Sequence, residues 1–287
     1  MLIYPEIDPV IFSIFGLKIR WYGMMYVVGF LVGWWLARRR SRQAWWQFTP
    51  QQVDDLIFYV MLGVILGGRL GYTLFYGWAN IAADPLYIFK IWEGGMSFHG
   101  GLAGVLIAMW LFGRKLGKTV WHMTDFVAPL VPLGLGFGRI GNFINGELWG
   151  GPAGDLWWAM QVRCDGTPAR IELCQRKLGL APDVLMTPAL HPSMLYEAAL
   201  EGFVLFAILW WFSSKQRPYM AISGLFLLLY GVFRFIIEFY RVPDAHLGYL
   251  FADWVTMGQV LSAPMIIAGA ILLYLAYRPR TNKEATA

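Results

Sequence analysis

Seven stretches of the chain are apolar over most of their length, near residues 20–38, 53–75, 97–112, 123–141, 195–213, 221–240 and 257–277. A membrane-crossing helix needs about 20 mostly apolar residues, and each stretch is read as one span. The fourth is interrupted by Pro129, Pro132 and a run of glycines from Gly134 to Gly150. Broken helix at membrane depth is tolerated where it is buried in protein or lines a wet cavity. Residues 1–19 are short, mixed and aromatic, and read as a segment lying in the membrane interface. Residues 76–94, with Trp78, Tyr87, Phe89 and Trp92, have the same character. The longest stretch without a span, 142–194, reads as a small extramembrane head. The expected fold is therefore an all-α integral membrane protein: one polytopic domain over 1–287, with seven transmembrane helices and a head inserted between spans four and five.

Composition excludes the alternatives. The hydrophobic set makes up 58% of the chain, charged residues 14%, and mean hydropathy is +0.51. A soluble domain carries about 25% charged residues, so neither disorder nor an ordinary water-soluble fold fits. The net charge of +5 at pH 7 matters less than where it sits. Arg38, Arg39, Arg40 and Arg42 follow the first span; Arg114, Lys115 and Lys118 follow the third. Lys215 and Arg217 follow the fifth, and Arg278, Arg280 and Lys283 the seventh. Alternate loops thus carry the basic residues, which the positive-inside rule places in the cytoplasm. The N-terminus is expected outside, the C-terminus inside, and the basic residues report orientation rather than nucleic-acid binding. Met1 to Asp8 has no basic region and carries Glu6 and Asp8, so no cleavable signal peptide is expected. On this topology the head faces outward. That location permits a disulfide between Cys164 and Cys174, although two unlinked thiols remain open, and no metal-ligand spacing surrounds them.

Ionisable residues inside spans are costly and mark sites or pathways. Here they share one depth. Tyr22 starts span one, Arg69 and Tyr72 lie in the outer part of span two, and His99 begins span three. Arg139 and Asn142 end span four, with Asn145 and Glu147 just beyond. Glu197 and Glu201 start span five, and Tyr230, Arg234 and Glu238 occupy the outer half of span six. A transporter needs polar groups near the midplane with access from both sides. A one-sided polar chamber suits an enzyme or binding site acting in the outer leaflet.

Tyr230, Arg234 and Glu238 recur every four residues and share a helix face, so an Arg234–Glu238 pair that neutralises itself is the plain reading. Arg139 stands in the glycine-broken segment beside Asn142 and Asn145. A guanidinium fork with nearby amide donors suits a lipid phosphate. Arg69 is equally well read as snorkelling to the interface. His99 is flanked by glycines in Gly94-Gly95-Met96-Ser97-Phe98-His99-Gly100-Gly101, and reads either as a hydrogen-bonded interfacial residue or as a proton acceptor. His122, His191 and His246 are less well placed, though His191, before Pro192 and Ser193, leaves an accessory role open.

The run Gly138-Arg139-Ile140-Gly141-Asn142-Phe143-Ile144-Asn145-Gly146-Glu147-Leu148-Trp149-Gly150 resembles the signature of bacterial prolipoprotein diacylglyceryl transferases. The resemblance extends through Trp21-Tyr22-Gly23, Gly95 to Gly101, His191-Pro192-Ser193, Tyr230 to Arg234 and Glu238-Phe239-Tyr240-Arg241, and is least between 151 and 190. It implies a seven-spanning enzyme with an extracytoplasmic head. The implied reaction moves the diacylglyceryl group of phosphatidylglycerol onto the lipobox cysteine thiol of a preprolipoprotein, at the outer face of the bacterial cytoplasmic membrane. A thioether forms and glycerol phosphate leaves. The implied partners are the lipid, the signal peptide and the bilayer, with no nucleic acid, no cofactor and no metal.

Carried over by motif, Arg139 and Asn142 would hold the lipid phosphate, and Arg234 would add positive charge where phosphate leaves. His99 would be the first choice of base for the thiol, with water or the leaving phosphate as alternatives. Tyr22 and Tyr230 would position headgroup or thiol, and Glu147 and Glu238 would orient the arginines. Asn145 and Gly150, of the same signature, complete the substrate-binding set. Two rivals fit less well. For an intramembrane protease, Ser97-Phe98-His99 is no nucleophile elbow, and Asp125 lies far in depth from Asp244 and Asp253. For a lipid-binding transporter or flippase, a second, cytoplasmic polar chamber is missing.

Overall fold

The computed structural model describes residues 2–90, 94–166, 168–242, 248–252 and 254–279. Trp92, Asp244, His246, Asp253, Arg280 and Lys283 lie outside them. In chain order the elements are β1 (Leu2–Ile3), β2 (Val10–Ile14), β3 (Leu17–Arg20), α1 (Trp21–Ser41), α2 (Pro50–Phe75) and α3 (Trp78–Ala83). A 3₁₀ turn over Pro85–Phe89 precedes α4 (Phe98–Lys115), α5 (Val120–Val127), α6 (Val131–Asn145) and β4 (Met160–Gln161). Then come α7 (Pro168–Ile171), running on as a π-helical stretch Glu172–Lys177, and α8 (Ser193–Glu197), running on through π-helical Ala198–Val204 into α9 (Leu205–Phe212). Helices α10 (Ala221–Glu238) and α11 (Met257–Tyr277) are the last elements among the described residues.

Helix thus occupies every stretch read as a span. Four helices are long and apolar enough to cross a membrane: Pro50–Phe75, Ser193–Phe212, Ala221–Glu238 and Met257–Tyr277. A fifth crossing results if the bent pair Val120–Val127 and Val131–Asn145 is one span. Local chemistry sets the ends. Thr49 and Gln52 form a reciprocal capping box ahead of α2, and Thr256 and Gln259 form another ahead of α11. The Ser97 side chain accepts from the Gly100 N–H and starts α4.

The chain divides into two compact units, Met1–Gly33 with Ala128–Ala287, and Trp34–Val127. In the first, α6 crosses the α8–α9 span at Gly136 and Gly202, where a Cβ on Gly202 would meet the Gly136 backbone. The glycines of α6 therefore do not break it, as the sequence suggested. They let neighbours approach while the helix runs unbroken from Val131 to Asn145. The break lies before it, between Val127 and Val131.

The head packs around Tyr4, Trp149, Val162, Leu173, Leu190 and Met194. Tyr4 also corrects the reading of residues 1–19 as merely interfacial. β1 pairs in parallel with β4, and the Tyr4 hydroxyl donates to the carbonyls of Phe143 (2.6 Å) and Ile144 (3.0 Å). Those carbonyls belong to the last turn of α6, where intrahelical partners run out. Burial pushes the Tyr4 hydroxyl up to about 12, so it remains a donor. Two-residue strands carry no periodicity, which is why the pattern hid them. The β2–β3 hairpin leaves Phe12, Ile14 and Phe15 exposed. Tyr4→Phe should strip a buried donor from two carbonyls and cost about 1–3 kcal/mol, read as a lower midpoint in thermal unfolding in detergent; an unchanged midpoint would refute the capping role. Cys164 and Cys174, left open above, form a disulfide.

In the second unit α2 and α4 pack closely through Gly63, Gly67, Gly71, Gly100 and Gly104, where an added Cβ would meet opposing backbone. Arg69, for which snorkelling was an equal reading, does not reach for solvent. It is 3% exposed and donates to the carbonyls of Tyr87, Ile88 (3.1 Å), Gly94 and Gly95 (3.2 Å). Its guanidinium also lies 4.4 Å from the Tyr87 ring centroid. Arg69 thus pins the segment leading into α4.

Candidate active site

The polar residues of the first unit assemble around one carboxylate. Glu197, at the end of α8, is 0% exposed, and three arginines converge on it. Arg139 Nε lies 2.5 Å from its Oε2 and Arg234 Nη1 lies 3.3 Å from the same oxygen. Arg241 Nη1 binds Oε1. A buried carboxylate can remain ionised only when charge and hydrogen bonds compensate its lost hydration. Here α6, α10 and the turn after α10 each supply one guanidinium.

Glu238 forms a second bridge. Its Oε2 lies 2.9 Å from Arg234 Nη2 and its Oε1 3.5 Å from Arg241 Nε. Its carboxylate sits over the first turn of α11, so close that a Cβ on Gly258 would clash with it. An anion is stabilised at a helix N-terminus. The self-neutralising Arg234–Glu238 pair expected from the spacing exists, then, but inside a larger network. Glu201 stands apart, 1% exposed, with Arg234 Nη1 3.8 Å from its Oε1.

A second chain of contacts runs along the outer end of α6. Arg139 Nη1 donates to Asn142 Oδ1 at 3.4 Å. Glu147 Oε1 accepts from Asn142 Nδ2 at 2.8 Å and Asn145 Nδ2 at 3.2 Å. Two expectations change. Among the described residues Glu147 pairs with no arginine; it clamps the two amides, and through Asn142 it acts on Arg139. Asn142 turns its carbonyl oxygen toward Arg139, so in this arrangement it orients the guanidinium rather than extending a row of donors. Arg139 keeps 24% of its side chain exposed, the most open of the three arginines.

Aromatic residues border these groups. The Tyr22 and Tyr26 hydroxyls are 3.0 Å apart, and a Cβ on Gly141 would meet the Tyr22 ring at 2.9 Å. Tyr230 precedes Arg234 by one helical turn and stacks on Phe226 at 5.8 Å. Gly150 acts through backbone: it pairs with Arg241, its N–H donates to His191 O (2.9 Å), and a Cβ there would meet Tyr240 and His191. Any side chain at Gly150 would displace the backbone segment that carries Arg241. His191 packs on Tyr196 and Tyr240, its Nδ1 is 3.1 Å from the Tyr196 hydroxyl, and burial lowers it below the usual imidazole range. That is a scaffold role at the entry to the span.

His99 belongs to the second unit, in the first turn of α4, and its ring meets that of Phe98. Tyr72 packs on Tyr76 in the same unit. Sequence reasoning placed Glu197 and Glu201 on the polar map without giving them roles, and quoted Arg241 only within a motif. A usable signal existed: arginines and glutamates set in or beside apolar helices must find one another.

The comparisons with known proteins bear on what such a cluster serves. The family described as prolipoprotein diacylglyceryl transferase has a model that matches residues 9–275. The chain belongs to this family. A phosphatidylglycerol–prolipoprotein diacylglyceryl transferase of Pseudomonas syringae is 53% identical over 99% of this chain and 100% of its own length. One of Methylococcus capsulatus is 55% identical over 98% of this chain and 100% of its own. As a member of the prolipoprotein diacylglyceryl transferase family, the chain carries its buried arginine–glutamate network within the matched residues.

Proposed function

We infer that the protein transfers the diacylglyceryl group of phosphatidylglycerol to a prolipoprotein. Full-length similarity to enzymes bearing that name carries the reading, and the arginine cluster within the helices supplies the chemistry. The acceptor is the lipobox cysteine thiol. Once deprotonated, its sulfur attacks the glyceryl carbon that bears the phosphate. The C–S bond of a thioether forms, the C–O bond breaks, and glycerol phosphate leaves with the electron pair.

Arg139, the most open guanidinium, takes the lipid phosphate, oriented by Asn142 and, behind it, by Glu147 and Asn145. Arg234 faces the charge that builds on the departing phosphate, where a fixed cation in a dry site lowers the barrier. Glu238 sets the orientation of Arg234, and Gly150 that of Arg241. Tyr22 and Tyr230 border the headgroup. His99 is the first choice of base, its imidazole being suited to accept a proton near neutral pH.

The basic loops put the N-terminus outside and the C-terminus in the cytoplasm, with seven crossings and the 142–194 head outward in a bacterial inner membrane. The Cys164–Cys174 disulfide supports an outward head, because such bonds persist in oxidising compartments.

Reconstitution with phosphatidylglycerol and a lipobox peptide tests the reading. Thioether-linked peptide and glycerol phosphate should appear together; lipid movement without product would favour a flippase. In the same assay His99→Ala should slow transfer at neutral pH and recover partly at higher pH, where more thiol ionises unaided. A variant equally slow at every pH would remove His99 as the base.

A further inference from the structure

Glu201 is a buried ionisable group beside the arginines that the reaction above leaves unused. It lies on the π-helical turn that follows Glu197, four residues on, and is 1% exposed. Neither of its oxygens accepts a hydrogen bond, and its ion-pair contact among the described residues is Arg234 Nη1 at 3.8 Å. Glu197, by contrast, receives Arg139, Arg234 and Arg241. The charged and titratable groups facing Glu201 are Arg139 on α6, Tyr230 and Arg234 on α10, Arg241 after it, and Glu197 on its own helix. Glu238 lies across Arg234.

The charge balance of this cluster is informative. Three guanidinium groups and three carboxylates, all ionised, cancel one another. A phosphodiester entering that neutral cluster would leave a net negative charge in a poorly solvated place, which is strongly disfavoured. Two carboxylates a turn apart in a buried site also resist ionising together. The proton belongs on the one with the fewest donors, and that is Glu201.

We propose that Glu201 is a neutral carboxylic acid when phospholipid is bound, so that the cluster carries the single net positive charge that one phosphodiester cancels. This rests on the reading that Arg139 and Arg234 receive the lipid phosphate. It makes Glu201 a determinant of headgroup charge. A lipid with an uncharged glycerol headgroup brings only its phosphodiester charge and neutralises the cluster, whereas a zwitterionic one brings an ammonium as well and leaves an excess positive charge in the site. Above the pH at which Glu201 ionises, the cluster becomes neutral before lipid arrives and affinity for the anionic lipid falls.

The full-length protein in phosphatidylglycerol nanodiscs tests this by infrared spectroscopy with isotope-labelled glutamate. At neutral pH the spectrum should hold the carbonyl stretch of a protonated glutamic acid, apart from the carboxylate bands. Glu201→Gln should remove that band, and Glu201→Asp, which keeps an acid, should move it outside the label. Kinetically, the wild-type KM for phosphatidylglycerol should rise with pH, by about tenfold per pH unit at most, while in Glu201→Gln that rise is lost. No protonated glutamate in the wild type, a band untouched by Glu201→Gln, or the same pH dependence of KM in both proteins would each overturn the proposal. The underlying phosphate reading fails separately: Arg139→Ala would then leave the lipid KM unchanged whether or not the Glu201 band is present.

Discussion

Arg139→Ala should abolish diacylglyceryl transfer. The substitution removes the guanidinium that is most open and the one held from both sides, by Glu197 at 2.5 Å and by Asn142 at 3.4 Å. Loss of one fixed donor to a developing oxyanion costs about 10²–10³ in rate, and here the anchor for the bound lipid goes with it. The fall in kcat/KM should therefore be at least that large, measured as thioether-linked lipobox peptide formed in phosphatidylglycerol vesicles. Arg139→Lys keeps the charge but loses the planar fork that allows simultaneous contact with Glu197 and a phosphate. It should recover only part of the activity. Near-normal turnover in the alanine variant would take Arg139 out of the phosphate site.

Glu197→Ala is expected to be the most damaging change to the folded protein. The side chain is wholly buried and joins guanidinium groups from α6, α10 and the turn beyond α10. Breaking a buried ion pair by removing one partner costs about 3–5 kcal/mol, because the other charge is left uncompensated. In this case three charges lose the same partner, and mutual repulsion would drive Arg139 and Arg234 apart. Thermal unfolding in detergent should shift markedly downward, and transfer should be lost even below the new midpoint. Glu197→Gln preserves the shape and one acceptor oxygen, so it should fold better than the alanine variant while still failing to gather the arginines. A Glu197→Ala protein with unchanged stability and activity would show that the hub has no such role.

These two residues also divide what could be read early from what could not. Arg139 announced itself, because an arginine near the end of an apolar stretch, inside a long specific motif, needs a reason to be there. Glu197 was visible at the start of its span but silent about its partners. Its three arginines lie 58 residues before it and 37 and 44 after it in the chain, by their numbers. No local spacing links them. Asn142 shows the same limit at short range: the sequence placed it beside Arg139, but only the side-chain geometry turned its carbonyl toward the guanidinium and its amino group toward Glu147. Arg69 shows it for burial. Whether a long cation snorkels or folds inward depends on carbonyls 18 to 26 residues away.

By itself, the sequence determined that this chain is a helical membrane protein, where its apolar helices lie, and which scarce ionisable residues are set in or beside them. Those follow from quantities counted along the chain, namely apolar run length, loop charge and motif. The tertiary structure decided the pairing: Glu197 as the hub, Glu201 without a hydrogen-bond donor, Tyr4 closing the end of α6, and glycines that bring helices together instead of breaking one. The physical reason is that burial makes each charge costly unless compensated, while the identity of the compensating group is set by which helices cross, and hydropathy carries no record of that.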